Sequence, residues 1–348
     1  MQFFHISLII ESNHLPKKLN TMNINTKIKN VIFLFVLIWC NVACNATHAP
    51  ATTTYAYITN QGDNTVSVIN TQTNKVVNTL KVGASPVGVA VSAKTERAYI
   101  SNIDSKSISI INTRTNEIIQ TLNINASPVG LALSNDGYIL YAADWFDNRV
   151  LAIDTRTPNN TREVKVGDAP AGMLVSPDNQ WLYVANRDSD DIAVIDTKTL
   201  SIKKRIAVGK HPFGLSLSHN GKWLVSVNVK EDTISLINTD SWQQQKIKVG
   251  YHPYCAAMSQ NDKTLYVTNT QDDNVTVIDL VSKKVMATID VGSTPEGISI
   301  DHSSQRAYVA NWGSNNVSVI DTKTNERIAT IKTGDKSRAF GLFTLNSE

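Results

Sequence analysis

From Tyr55 onward the chain alternates apolar and polar side chains in short runs, and polar turns interrupt these runs every 8–12 residues. A period of two, rich in Val, Ile, Thr and Tyr, predicts β-strands, and no helical period competes with it. Around Tyr266 the pattern predicts four strands, over 254–259, 264–269, 274–280 and 284–292. The turn Gln260–Lys263 and the polar loop Thr270–Asp273 separate the first three. The unit recurs. Its second strand reads apolar-Tyr-Val/Ile-Thr/Ala/Ser-Asn, with the tyrosine position at Tyr57, Tyr99, Tyr141, Tyr183, Val225, Tyr266 and Tyr308, spaced 42, 42, 42, 42, 41 and 42 residues apart. Four short strands in a repeat of this length form a propeller blade, which buries its faces only against neighbouring blades. The predicted fold is therefore all-β: a seven-bladed β-propeller with four antiparallel strands per blade. TYAYITN (54–60) is a second strand without a first, and RAFGLFTL (338–345) reads like the first strand PVGVAVS (86–92). The C-terminal strand is expected to complete the first blade, which removes two open sheet edges.

The motifs YITN, YISN, YVAN and YVTN, and the linkers VGASPVG, VGDAPAG, VGKHPFG and VGSTPEG, resemble the YVTN-type β-propeller repeat family over residues 55–345. The Gly-His and Trp-Asp hallmarks of WD repeats are missing. The resemblance implies a bacterial or archaeal exported propeller in the superfamily of amine-dehydrogenase large subunits. By that analogy a redox partner is one candidate role, although the cysteines for a cofactor or haem site of its own are absent.

The first fifty residues break the pattern. After Met22 come Lys27 and Lys29, an apolar run Val31–Cys40, and a tail of small residues. This is the layout of a secretory signal peptide, and the run is too short for a membrane-spanning helix. Glu11 and Pro16 suit no signal peptide, so translation is expected to start at Met22. The domain division is a leader over 1–49 and the propeller over 50–348. Cleavage after Ala49 ranks ahead of lipidation at Cys44, because Asn41 stands where a lipobox prefers Leu. The expected location is periplasmic or secreted, with no transmembrane segment after leader removal, as a monomer.

Charge follows from this division. Residues 1–46 hold four basic side chains and one acid, so the remainder carries 29 of each sign. The basic pI of the whole chain belongs to the leader, and composition gives no support for nucleic-acid binding. Of the three cysteines, Cys40 and Cys44 lie in or beside the leader, and if both are removed with it Cys255 has no disulfide partner.

Seven repeats permit an internal comparison. The strand-ending Asn, the linker prolines and the Asp-Thr-Lys-Thr turns recur and so serve the blade. Asp188, Asp190 and Asp191 lack calcium-loop spacing and read as a solvated loop. The linkers into each first strand and the loops between second and third strands emerge on one face, around the channel mouth. After the linker proline position come Val87, Val129, Ala171, Phe213, Tyr254, Glu296 and Phe340. The first three linkers are small. The last four carry Lys210, His211, Phe213, Tyr251, His252, Tyr254, Glu296, Arg338 and Phe340, and the other loops add Trp145, Arg187 and Trp312. One aromatic, titratable side of a funnel is what a small-ligand or peptide site needs.

His211 and His252 occupy equivalent positions and are candidates for a metal or acid–base pair. Two exposed histidines bonded to their own turns are the simpler reading, and two ligands do not close a metal site. Cys255 replaces a linker glycine and reads as a small buried residue ahead of a reactive thiol. Trp181 and Trp223 read as blade packing. No G-x-S-x-G, H-E-x-x-H, C-x-x-C or phosphate loop occurs, so no catalytic residue, metal or cofactor is assigned. The sequence favours a non-catalytic binding or scaffold module of the cell envelope, recognising a small molecule or an envelope protein at the funnel. The alternatives are a lactonase- or lyase-like enzyme using His211, His252, Glu296 and Arg338, and a propeller subunit of a quinoprotein-dehydrogenase-like redox system.

Overall fold

The computed structural model describes residues 54–345; the expected leader, Cys40, Cys44 and the expected cleavage position lie outside the described residues. Twenty-eight strands and one 3-10 turn, Arg187–Ser189, form seven blades. In the blade of Tyr266 the strands are Pro253–Met258, Thr264–Asn269, Asn274–Asp279 and Lys284–Asp290, within two residues of the sequence prediction. Five blades are four-stranded antiparallel sheets in sequence order from channel to rim.

Burial explains the two kinds of pattern along each repeat. The second strands are buried on both faces, as in Arg97–Asn102, because neighbouring blades cover them. The outer strand Lys75–Lys81 alternates between exposed and half-buried residues, as expected where one face meets water. Five tyrosines of the repeat motif are among the largest fully buried side chains. Three of them tie blades together. Tyr57 Oη donates to Asn116 Oδ1 at 2.7 Å, Tyr266 Oη to Asn325 Oδ1 at 2.7 Å, and Tyr308 Oη to Asn74 Oδ1 at 2.9 Å. Each acceptor sits with positive φ in the outer hairpin of the next blade, a conformation Asn tolerates better than most residues. The Tyr308–Asn74 bond joins the last blade to the first.

The strand-ending Asn also acts inside its blade. Asn228 Nδ2 donates to Thr233 Oγ1 at 3.0 Å and Ser235 Oγ at 3.1 Å, while its Oδ1 accepts from Gly209 N–H at 3.2 Å. One buried amide thus fixes the second-to-third-strand hairpin and the incoming linker. Asp144 replaces it in the third blade, and there Arg149, at the Thr233 position, donates through Nε at 2.9 Å.

Ring closure occurs as expected, with a change of register. Strands Tyr55–Asn60, Thr65–Asn70 and Lys75–Lys81 form a three-stranded sheet. The C-terminal segment pairs with the first of these: Asn60 bridges Ser337 and Ala56 bridges Thr344, both antiparallel. The equivalent pairs of the seventh blade are Asn311 with Pro295 and Ala307 with Ile300. The C-terminal segment therefore spans the same length of partner with two additional residues. The excess bulges at Gly341, whose φ of 106° suits only glycine. Phe340–Leu342 swings out there to run parallel to the first strand of the second blade, Pro86–Ser92.

Candidate functional site

Six linkers share one backbone device. The residue before the proline position has positive φ at Ser85, Ala169, His211, His252, Thr294 and Lys336. Its N–H is held by a side-chain oxygen from the preceding blade's loop: Asn64, Asn148, Asp190, Asp232, Asp273 and Asn315, respectively. Asp190 is therefore part of the repeat, and it also pairs with Lys210 at 2.6 Å. Asp188 pairs with Arg187 and Asp191 with Arg205. These carboxylates position loops.

Three rings of equivalent residues follow at the mouth. One comprises the residues just named before the proline position. The second follows each strand-ending Asn or Asp: Gln61, Ile103, Trp145, Arg187, Val229, Thr270 and Trp312. Each N–H of this second ring donates to the carbonyl of a first-ring residue or its equivalent, as Trp312 does to Thr294 at 2.9 Å. The third follows the proline position and faces the channel. Here the bridge between Ser337 and Asn60 corrects the sequence reading. Ser337 stands at the proline position, so Arg338, not Phe340, joins Val87, Val129, Ala171, Phe213, Tyr254 and Glu296. The two-residue bulge, hidden in a linear alignment, caused the shift.

This third ring is uneven in chemistry. Phe213 and Phe340 are buried, and their ring centroids lie 4.8 Å apart. Tyr254 stacks on Phe213 at 4.2 Å, and Trp145 lies 6.1 Å from it. Val87, Val129 and Ala171 complete the same apolar cluster. The channel end is therefore a filled aromatic floor. Two grooves lie elsewhere, on the blade flanks: about 440 Å³ along Thr121–Asn125, Arg149 and Glu163, and about 210 Å³ beside Gly250 and Asp272.

A charged group interrupts the floor on one side. Arg338 Nε lies 2.5 Å from Glu296 Oε2. Its Nη2 donates to Tyr254 Oη at 2.6 Å, and its Nη1 donates to Gln61 Oε1 at 3.4 Å. Gln61 Oε1 also accepts from Trp312 Nε1 at 3.4 Å. Burial pushes the Glu296 carboxyl above its ordinary value, with Arg338 pulling the other way. Burial opposes the Arg338 charge, but Tyr254 and Glu296 outweigh it and hold the guanidinium pKa high. Burial likewise raises Tyr254 and pushes the Cys255 thiol well up, so Cys255 is a neutral packing residue. His252 is lowered by burial, reinforced by Lys230, and its Nδ1 lies 2.9 Å from Thr270 Oγ1. His211 Nδ1 is buried with no hydrogen-bond partner. Among the described residues no three His, Cys, Asp or Glu side chains gather in a metal-binding arrangement.

Residues 134–345, well over half of the chain, match the model of the YNCE-like β-propeller family. This chain belongs to that family. No curated protein shows significant sequence similarity to this YNCE-like propeller. Solved structures share its fold at low identity. Hydrazine synthase of Kuenenia stuttgartiensis aligns with a TM-score of 0.68 at 21% identity, over 80% of this chain and 98% of that one. A functionally unknown protein from Desulfotomaculum acetoxidans gives 0.70 at 11%, over 82% and 99%. Dihydro-heme d1 dehydrogenase NirN in complex with DHE gives 0.61 at 15%, over 80% of this chain and 63% of that one.

Within the YNCE-like propeller, most of the sequence-derived candidates join two contact groups. Trp145, Phe213, Tyr254 and Phe340 form the floor, with Arg187 over the Trp145 ring at 5.8 Å. Glu296, Arg338, Tyr254 and Trp312 form the charged side, and Lys336 lies over Trp312 at 5.5 Å. Lys210 is tied outward to Asp190, and Tyr251 is 61% exposed. The sequence reading missed Gln61, which links Trp312 to Arg338. Its signal was present, since it holds the loop position that Trp145, Arg187 and Trp312 hold in other blades.

Proposed function

We propose that this YNCE-like propeller is an exported binding module that recognises its ligand on the aromatic floor of the channel mouth. One observation carries the reading. Three blades fill the channel-facing position with Val87, Val129 and Ala171, so the fold needs only a small apolar residue there. The other four place Phe213, Tyr254, Glu296 and Arg338, which brings aromatic rings and a guanidinium held by Glu296 and Tyr254 together at the channel mouth. Aromatic rings beside a few oriented polar groups suit a ligand that is flat or aromatic and carries an anionic or hydrogen-bond-accepting end.

The test is a thermal-shift screen of aromatic carboxylates and aromatic peptides, repeated with Trp145→Ala and Arg187→Ala. A ligand at a hundred times its Kd stabilises by about 2.7 kcal/mol, so a true hit raises the melting temperature of the parent and loses most of that rise in both variants. Equal shifts in parent and variants, or no hit, reject the proposal. Export is tested by N-terminal sequencing of the envelope fraction, with cleavage after Ala49 expected.

An enzymatic role is the second reading. It is favoured by Glu296, a buried carboxyl with a raised pKa beside Arg338, since perturbed pairs of this kind concentrate at reactive sites. Turnover of a lactone or similar substrate that disappears in Glu296→Gln would select it over binding alone.

A further inference from the structure

The turns joining first and second strands lie at the opposite end of the blades from the mouth. Equivalent positions in these turns carry Asn135, Pro177, His219, Gln260 and His302. His219 belongs to the fifth blade and His302 to the seventh. Even so, their rings meet across the sixth blade, with centroids 5.0 Å apart and planes at 66°. The sixth blade supplies a third group. Asp262 accepts from the His219 backbone N–H at 2.8 Å and lies 2.9 Å from His219 Nδ1, both through Oδ1.

A carboxylate at Nδ1 fixes the proton there, which leaves the lone pair on Nε2. This is the arrangement found around metal-bound histidine: an outer carboxylate orients the ring and raises its basicity. Two imidazoles on one tetrahedral ion, with metal–nitrogen bonds of about 2.0–2.1 Å, have centroids about 5 Å apart. The observed separation meets that requirement before any ion is present. His219 is half exposed, so an ion has access and water can fill its remaining positions.

We propose that His219 and His302 form an open two-histidine site for a divalent transition metal of the kind imidazole prefers, zinc, nickel or copper, with Asp262 as the residue that positions His219. An ion held there links the fifth and seventh blades over the sixth. With two protein ligands the site is weaker than a closed structural zinc site, and it is independent of the channel mouth.

The experiment is isothermal titration of the untagged chain with zinc chloride, then with nickel chloride, in a non-chelating buffer. One equivalent is expected to bind. His219→Ala and His302→Gln should each weaken binding at least about tenfold, and Asp262→Asn about ten- to a hundredfold, while circular dichroism verifies that each variant is folded. Binding should raise the melting temperature of the parent but not of His219→Ala. No binding, or binding retained in both histidine variants, overturns the proposal and leaves an edge-to-face aromatic contact. Loss instead in His211→Ala or His252→Ala also overturns it, because the ion then sits at the mouth.

Discussion

Tyr266 and Tyr99 hold the same place in two blades, yet only Tyr266 has a partner for its hydroxyl. Tyr99 Oη is buried with none, because the third blade lacks the Asn that Asn325 provides in the seventh. Removing a satisfied buried hydroxyl and orphaning its acceptor costs about 1–3 kcal/mol, whereas removing an unsatisfied one costs nothing or stabilises. Tyr266→Phe should therefore lower the melting temperature by several degrees, and Tyr99→Phe should leave it level or raise it; calorimetry of the two variants decides. His252 allows a prediction about pH. Burial and Lys230 hold its pKa below 6.5, with Arg187 and His211 acting in the same direction and Asp232 against. Below about 6.5 the unfolded chain takes up a proton that the folded chain refuses, so stability falls as pH drops through that value. His302 is lowered as well and adds a loss of the same sign. Denaturant melts from pH 7.5 to 5.5 should show a smaller loss in His252→Gln than in the parent, though not its abolition.

The hairpin joining second and third strands is the element that the repeat conserves by chemistry rather than by identity. In the fifth blade Asn228 serves Thr233 and Ser235; in the third, Asp144 serves Arg149. Asp144 is 1% exposed, so neutralising it alone takes from Arg149 its one buried carboxylate and leaves it the exposed Glu163 and Asp147. Asp144→Asn should destabilise by about 1–3 kcal/mol. The double variant Asp144→Asn with Arg149→Thr restores the usual Asn–Thr pair and should recover much of that loss. A double-mutant cycle by urea melts should give a coupling of at least about 1 kcal/mol; simple additivity would refute the exchange. The Asn at the strand end was legible in the sequence because it recurs. The Asp144–Arg149 exchange was not, since the two residues are partners only once the hairpin register is known.

At the scale of the ring, closure rests on residues 337–345. Tyr57 N–H donates to Phe343 O at 2.9 Å, Leu345 N–H donates to Tyr55 O at 2.9 Å, and Arg338 N–H donates to Thr59 O at 2.8 Å. Phe343 is fully buried, in the core that the first blade shares with its neighbours. Phe343→Ala should cost about 3–5 kcal/mol. Deleting residues 338–348 reopens the first sheet's inner edge and uncovers the floor, so soluble expression should be lost. A soluble, cooperatively melting truncation would refute this account of closure.

The sequence by itself determined the blade count, the strand order and the loops that gather the exceptions to the repeat, because a seven-fold repeat prints its period and its exceptions directly on the chain. It also placed nearly all of the mouth residues. What tertiary structure decided lies between repeats. The two-residue bulge at Gly341 moved Arg338 into the channel ring, Gln61 joined Trp312 to Arg338, and Tyr–Asn bonds crossed from blade to blade. At the far end of the blades, His219 met His302 over a whole intervening blade. Such contacts depend on how neighbouring blades are rotated about the channel, and a period along the chain carries no information about that rotation.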